Sequence, residues 1–384
     1  VAPAADKRKG DEVRRAVCLL LLAGAAIAQP AKLVVLKVGH VGHDHHSALY
    51  VAALAGREFE KPYGIWFEEV RPKELYKLHD GKNVVCEVEL FKAGGGSDMP
   101  AAMSQGTFDV GFGGVAAEEF FIDKGSPMKL IAPLHSKGDM LVMKKELDLE
   151  SWPAFVEWLK AQTKQVRIGF KNPVAVAELI FKRALKEEGI TFTNDVADTK
   201  AKVLLVLMKD EANLNTGLQT DQIDGYVSNN PWCAVAESKG IGRCVAELHD
   251  LPPGVFKDHP CCGIAANTAA IERQGPQIQK FLELMAVATH YINTHRDKAV
   301  QYVAQWIGTT PEVEVVSMAT SGYSMEPDQA FRDGMWVWYQ EMAKLGKITN
   351  QLKDKTREEF EKLSYDFSLL EPALAGAQAR IPKK

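Results

Sequence analysis

Four histidines, His40, His43, His45 and His46, fall within seven positions where the stretch LKVGHVGHDHHSALYVAALAG passes from an apolar run into a helix-like one. Such a cluster can do three kinds of chemistry. Imidazoles ligate transition metals, but His43 with His45 or His46 lacks helical i, i+4 spacing and needs further donors from elsewhere in the chain. They act as acid–base catalysts, but no nucleophile partner is evident for them. They also donate hydrogen bonds at the mouth of a pocket, to an oxyanion or a polar ring, and a position just ahead of a helix favours this third use. His40 still lies in the apolar run and reads as a core residue.

Other loops carry polar residues in comparable places. In KAGGGSDMP, Gly94, Gly95 and Gly96 let backbone approach a ligand, and Ser97 stands at the start of a helix. The stretch is no phosphate-binding Walker motif, because the GK[ST] ending is missing. Gly113 and Gly114 follow the run FDVGF in the same way, with Glu118 a turn later. Lys171 and Asn172 follow QVRIGF, and Asn229, Asn230 and Trp232 follow IDGYV. The adjacent Cys261 and Cys262 of HPCCGIAAN invite metal or redox readings, yet their small apolar neighbours favour a buried strand or a disulfide partner. His135 and Asp139 flank a point where the chain passes to a second unit and read as hinge or site residues alike.

These loops need elements to hold them. Residues 33–39, 165–170, 202–208 and 223–228 are short runs rich in β-branched residues, and the segments after them have helical spacing. Helices are expected over about 47–60, 175–188 and 211–219, and SWPAFVEWLKAQ opens as a capped helix with proline in its first turn. Strands alternating with helices define an α/β fold with largely parallel sheets flanked by helices. The two halves also echo each other: Lys37-Val38-Gly39 answers Arg167-Ile168-Gly169, and Asp109 in GTFDVGF answers Asp224 in DQIDGYV. Beyond residue 262 the chain is mainly helical, with Trp306, Trp336, Trp338 and Tyr339 as packing material and a loosely ordered tail from about Pro372.

Length and composition bound what the whole can be. The 384 residues carry a formal net charge of −4, and 46% are apolar, enough for about two domains with real cores. No basic block interleaved with aromatics occurs, which excludes nucleic acid as a partner. A basic segment, an apolar run of about a dozen residues and Ala26-Ile27-Ala28 form a secretory leader, expected to be removed near residue 28. Without Cys18 five cysteines remain, an odd count that leaves at least one thiol unpaired or joined between molecules, and no CxxC spacing supports a cysteine-built structural zinc.

The ordered set KVGHVGHDHHSALYVAALAGREFEKPYGI, MSQGTFDVGFGG, GSPMKLIAPLHSKGDMLVMKK, QVRIGFKNPVAVAELIFKRALKEEGI and LQTDQIDGYVSNNPWCAVAESKG resembles the type II periplasmic substrate-binding proteins of ABC importers. The resemblance is to the nitrate/sulfonate/taurine branch, related to proteins that bind the pyrimidine precursor of thiamine, and it runs from about residue 33 to 346. It implies two lobes: residues 29–137 and 259–384 in the first, 138–258 in the second, after a leader of 1–28. It implies an exported, non-enzymatic, monomeric receptor without a cofactor, which closes on a small solute and delivers it to a membrane permease. The residues expected to hold that solute are His43, His45, His46, Gly95, Gly96, Ser97, Gly114, Lys171, Asn172, Asn229, Asn230 and Trp232. Two other readings stay open: a protein that binds or makes the thiamine pyrimidine, and a metal receptor built on the His43–His46 cluster.

Overall fold

The structure, a computed structural model, describes residues 1, 33–94 and 98–382. The expected leader beyond Val1, Cys18 within it, and Gly95, Gly96 and Ser97 lie outside the described residues. Two sheets organise the unit Val35–Lys384. The first takes β1 (Val35–His40), β2 (Ile65–Arg71), β3 (Leu75–Asp80), β4 (Asn83–Lys92), β5 (Val110–Gly114) and β6 (Met128–Lys137). The second takes β7 (Asp139–Lys144), β8 (Val166–Phe170), β9 (Phe192–Thr193), β10 (Val203–Leu207), β11 (Gly225–Asn229) and β12 (Gly242–Glu247). The chain then returns to the first sheet with β13 (Pro260–Asn267) and β14 (Ser321–Tyr323).

Helices α1 (Ser47–Ala55), α2 (Asp98–Ser104) and α3 (Val115–Asp123) belong with the first sheet, and α4 (Trp152–Ala161), α5 (Val176–Glu187), α6 (Glu211–Gln219) and α7 (Trp232–Ser238) with the second. The C-terminal part is helical as expected: α8 (Thr268–Thr294), α9 (Arg296–Ile307), α10 (Pro311–Ala319), α11 (Gln329–Lys344), α12 (Arg357–Ser364) and α13 (Leu370–Arg380). Among the described residues no helix is long and apolar enough to cross a membrane.

The α/β class stands; the second sheet is mostly parallel as expected, whereas the first is mixed. In the first, order β14-β6-β13-β5-β1-β4-β3-β2, only the β4-β1-β5 core is parallel. The meander β2-β3-β4 pairs antiparallel because consecutive hairpin strands need no crossover helix, and the returning strands β13 and β14 also pair antiparallel. In the second, order β12-β7-β11-β8-β10-β9, the four strands β11-β8-β10-β9 are parallel and β7 and β12 antiparallel.

The sequence echo between the halves has a structural counterpart. The central strand β1 lies between β5 and β4 as β8 lies between β11 and β10. The Lys37 backbone N–H donates to Asp109 Oδ2 at 2.9 Å, and the Arg167 backbone N–H donates to Asp224 Oδ2, also at 2.9 Å. Each aspartate thus pins the strand after it to the central strand β1 or β8 of its sheet. The segment beyond Pro372, expected to be loose, is instead helical. Leu370, Ala373 and Ala377 form a small buried stripe, and Arg380 pairs with Glu283 on α8 and donates to Asp80 at 2.7 Å.

Asp224 accepts from both the backbone N–H and the guanidinium of Arg167, at 2.7 Å for the second carboxylate oxygen. Burial opposes its charge, but these bonds hold its carboxyl below the usual range. Its contribution is therefore present above the unfolded pKa of about 3.9 and is lost as pH falls through the lower folded value. Asp224→Asn should cost about 1–3 kcal/mol at neutral pH, read as a lower urea midpoint at unchanged slope, and the deficit against the parent should shrink below pH 4.

Candidate functional site

Helix starts at strand ends supply the first set of polar groups, as parallel α/β units dictate. The end of β1 delivers the histidine loop. There the His43 backbone N–H donates to the Val41 carbonyl at 3.0 Å, the Val41 N–H donates to His46 Nδ1 at 3.1 Å, and the Tyr323 hydroxyl donates to the Asp44 carbonyl at 3.1 Å. The end of β8 delivers Lys171 and Asn172 ahead of α5, while β5 ends at Gly114 and β11 at Asn229.

A second set comes from an irregularity in β13. Successive side chains of a regular strand face opposite sides, so two adjacent cysteines should not share a partner. Here Pro260 faces Ser136 and Cys262 faces His135, which leaves Cys261 as an extra, bulged residue. The bulge turns both sulfurs toward one imidazole: Cys261 Sγ lies 3.5 Å and Cys262 Sγ 3.9 Å from His45 Nδ1. Cys261 also approaches Asp139 Oδ2 at 3.3 Å, and His259 Nε2 lies 3.4 Å from the same oxygen. Gly138, at the crossing between β6 and β7, has φ +88°, and a Cβ there would stand 2.5 Å from His45 Nε2. Glycine is required at this point both for the backbone and for the imbedded imidazole.

These groups enclose a cavity between the two sheets. His43, His45, Gly114, Cys261 and Cys262 line it from one side, and Asp139, Lys171, Asn172 and Asn229 from the other. Its volume is about 30 Å³, room for roughly two waters or an ion of similar size.

The electrostatics are not those of a simple anion site. Burial opposes a charge on Lys171, but Glu211 holds its ammonium above the ordinary lysine range; Nζ donates to both Glu211 and Asn229. The cation is thereby already paired. Burial and the neighbouring His46 keep His43 far below the usual histidine value, and burial lowers His46 as well, so both rings are neutral near pH 7. His40 is a core residue, driven down to about 3 by burial and His46. Cys262 behaves differently: burial disfavours its thiolate, but the Cys261 thiol and His135 stabilise it and hold the group well below the normal thiol range.

Of the residues expected from sequence, the structure brings His43, His45, Gly114, Lys171, Asn172 and Asn229 around this cavity. It does not bring His46, Asn230 or Trp232 to its wall. His46 packs behind His43 with ring centroids 4.4 Å apart. Asn230 Nδ2 donates to Thr320 at 3.0 Å, and Trp232 packs with Ala234, Val235 and Val313 where α7 meets α10. The five described cysteines are all free thiols. Cys261, Cys262, His135 and Asp139 are the residues whose joint placement sequence reading missed. The proline before and glycine after the cysteine pair were the available sign of an irregular strand.

The architecture matches solved two-lobed binding proteins. It is similar to the ligand-binding component of an ABC-type import system from Staphylococcus aureus with zinc bound, at 16% identity over 88% of this chain and 99% of that one, TM-score 0.67. It is likewise similar to the periplasmic nitrate-binding protein NrtA from Synechocystis PCC 6803, at 13% identity over 92% of each chain, TM-score 0.69. The alkanesulfonate-binding protein SsuA from Xanthomonas axonopodis pv. citri, bound to MOPS, gives 15% identity over 88% of this chain and 99% of that one, TM-score 0.62. The fold is therefore that of the periplasmic binding proteins. Residues 29–308 match the NMT1-like family, and the chain belongs to it. An uncharacterized protein of Methanocaldococcus jannaschii is 33% identical over 128 residues, 33% of this chain and 88% of that protein.

Behind the cavity, α10 lays Ser317 and Glu314 against Asp44. The Ser317 hydroxyl donates to Asp44, and Thr309 donates to Glu314 at 2.5 Å. Burial and the nearby Asp44 push the Glu314 carboxyl up to about 8. A folded pKa above the unfolded value, about 4.3, means that the group's contribution is full below pH 4.3 and is lost as pH rises toward 8. Glu314→Gln should flatten this slope. Urea unfolding at pH 5 and at pH 8.5 should show the variant gaining on the parent at the higher pH by on the order of 1–3 kcal/mol.

Proposed function

We propose that the protein is an exported solute receptor of an ABC importer, in which residues 29–137 with 259–384 and residues 138–258 form two lobes that close on a small solute for delivery to a membrane permease. One observation carries the reading: the cavity is walled by strand ends of both sheets, and among the described residues the chain passes between those sheets only at Lys137–Asp139 and over 248–259. A ligand held from both sides stabilises the closed arrangement over the open one, which is hinge closure by population shift. The solved relatives named above hold zinc or MOPS or are described as nitrate-binding, which supports a small solute and does not choose among them. Binding without turnover is part of the proposal.

Contacts away from the cavity clasp the two lobes in the closed arrangement. Arg183 on α5 donates to Glu341 on α11 at 2.8 Å, and Asn230 reaches Thr320 as described. Arg183→Ala should open the free protein and weaken solute binding roughly 3–10-fold without altering the cavity wall. Small-angle scattering and thermal melting should be recorded with zinc, nitrate, bicarbonate, sulfonates, small carboxylates and pyrimidines. One solute is expected to lower the radius of gyration and raise the melting point. If none does either, on protein stripped of any carried-over ligand, the receptor reading fails.

A further inference from the structure

Four donors at the cavity belong to one chemistry: His45, Cys261 and Cys262 line it, and His135 packs against His45 with ring centroids 4.0 Å apart. One ligand atom each from His45, His135, Cys261 and Cys262 lies within 4.8 Å of the others, and all four residues are 4% exposed or less. A tetrahedral ion with metal–sulfur bonds of about 2.3 Å and metal–nitrogen bonds of about 2.0 Å has donor–donor edges of about 3.3–3.8 Å. The sulfur contacts to His45 Nδ1, at 3.5 and 3.9 Å, lie at and slightly beyond such edges, and the widest pair must close in by up to about 1 Å to hold the ion.

The surrounding bonds orient the rings for the same purpose. His135 Nδ1 donates to the Ser136 carbonyl at 3.3 Å, which leaves its buried Nε2 with no hydrogen bond. His45 turns Nδ1 to the sulfurs, while its Nε2, 3.9 Å from Asp44 Oδ1, has no hydrogen bond, nor has that oxygen. A carbonyl that accepts from the far nitrogen, as at His135, is the arrangement that fixes a metal-binding ring; Asp44 stands in the same place behind His45, beyond hydrogen-bond distance. Unpaired buried polar atoms are costly, and a bound ion would give His135 Nε2 its missing partner.

We infer that His45, His135, Cys261 and Cys262 bind a thiophilic divalent ion of the zinc class, and that this ion is the solute on which the two lobes close; the second clause rests on the receptor reading. Charge selects the class. Two thiolates and two neutral imidazoles balance a doubly charged ion, leaving an uncharged centre in a buried site. The two protons held by the cysteines and His135 leave to solvent as the ion enters. The small cavity and the already paired Lys171 favour an ion of this kind over an organic anion. Asp139, on the first residue of the second sheet's β7, adjoins Cys261 and gives that lobe a contact at the ion's edge.

The test is a titration of chelator-stripped, reduced full chain with zinc chloride and, for its spectrum, cobalt chloride. One equivalent of zinc should bind, and cobalt should give sulfur-to-metal charge transfer together with intense tetrahedral visible bands. Cys261→Ser and Cys262→Ser should each reduce the charge-transfer band, and His135→Ala should weaken affinity by at least about 10-fold; Cys244→Ser should change nothing. Should the cysteine variants not fold, alkylation mapped on the parent protein replaces them, with zinc expected to protect Cys261 and Cys262 selectively. Failure to take up an equivalent, or a cobalt spectrum without thiolate character, overturns the metal site. If zinc binds in this way but leaves the radius of gyration unchanged, the ion is not the transported solute and the receptor clause falls alone. If another solute compacts the protein while zinc is refused, the receptor stands and the metal inference falls.

Discussion

The bulge at Cys261 is the constraint on which the site depends. Without an extra residue between Pro260 and Cys262, the two thiols would face opposite sides of β13 and only one could meet His45. With it, β13 keeps its pairing to β5 through Cys262 and Gly114 and to β6 through Cys262 and His135, so the sheet is interrupted locally rather than ended. The histidine loop is held to this point from behind by Asp44, Ser317 and Tyr323. Polar groups that would be expensive to bury singly are thereby gathered into one place.

The duplicated architecture gives the cavity its two-sided character. In each sheet a strand reached by a crossing, β13 or β7, runs antiparallel beside the strand that follows the pinning aspartate, so Cys262 opposite Gly114 corresponds to Asp139 opposite Asn229. The same place in each repeat faces the cleft, but the chemistry differs. One sheet offers sulfur and imidazole. The other offers a carboxylate, an amide and a lysine neutralised by Glu211. Equivalent scaffolds therefore present complementary walls.

The core α/β alternation was legible because each strand is a β-branched run of five or so residues followed by helical spacing, and the Asp109 and Asp224 echo marked the repeat. The hairpin strands β2 and β3 were not, since Trp66, Phe67 and Tyr76 sit among charged residues without clear alternation. The tail escaped because its buried face is alanine and leucine, whose helical stripe has little contrast with the residues around it. At the site, the loops after β1 and β8 could be read from the strand-end rule, including Lys171 and Asn229. What sequence could not supply was register. The meeting of His45 with cysteines 216 and 217 positions away depends on a bulge whose effect on side-chain direction appears only once the neighbouring strand is in place. The same absence of register made Trp232 look like a cleft residue when it belongs to the packing of α7 on α10.

Gly138 gives the crossing segment a second property. The residue through which the chain leaves the first sheet touches the ring of His45 so closely that no side chain fits between them. Rotation of the backbone at 137–139 that brings Gly138 closer must therefore displace that imidazole. In the proposed receptor, the donor and the pivot are mechanically one part: a ring locked onto a ligand jams the joint, and a ring set free lets it swing.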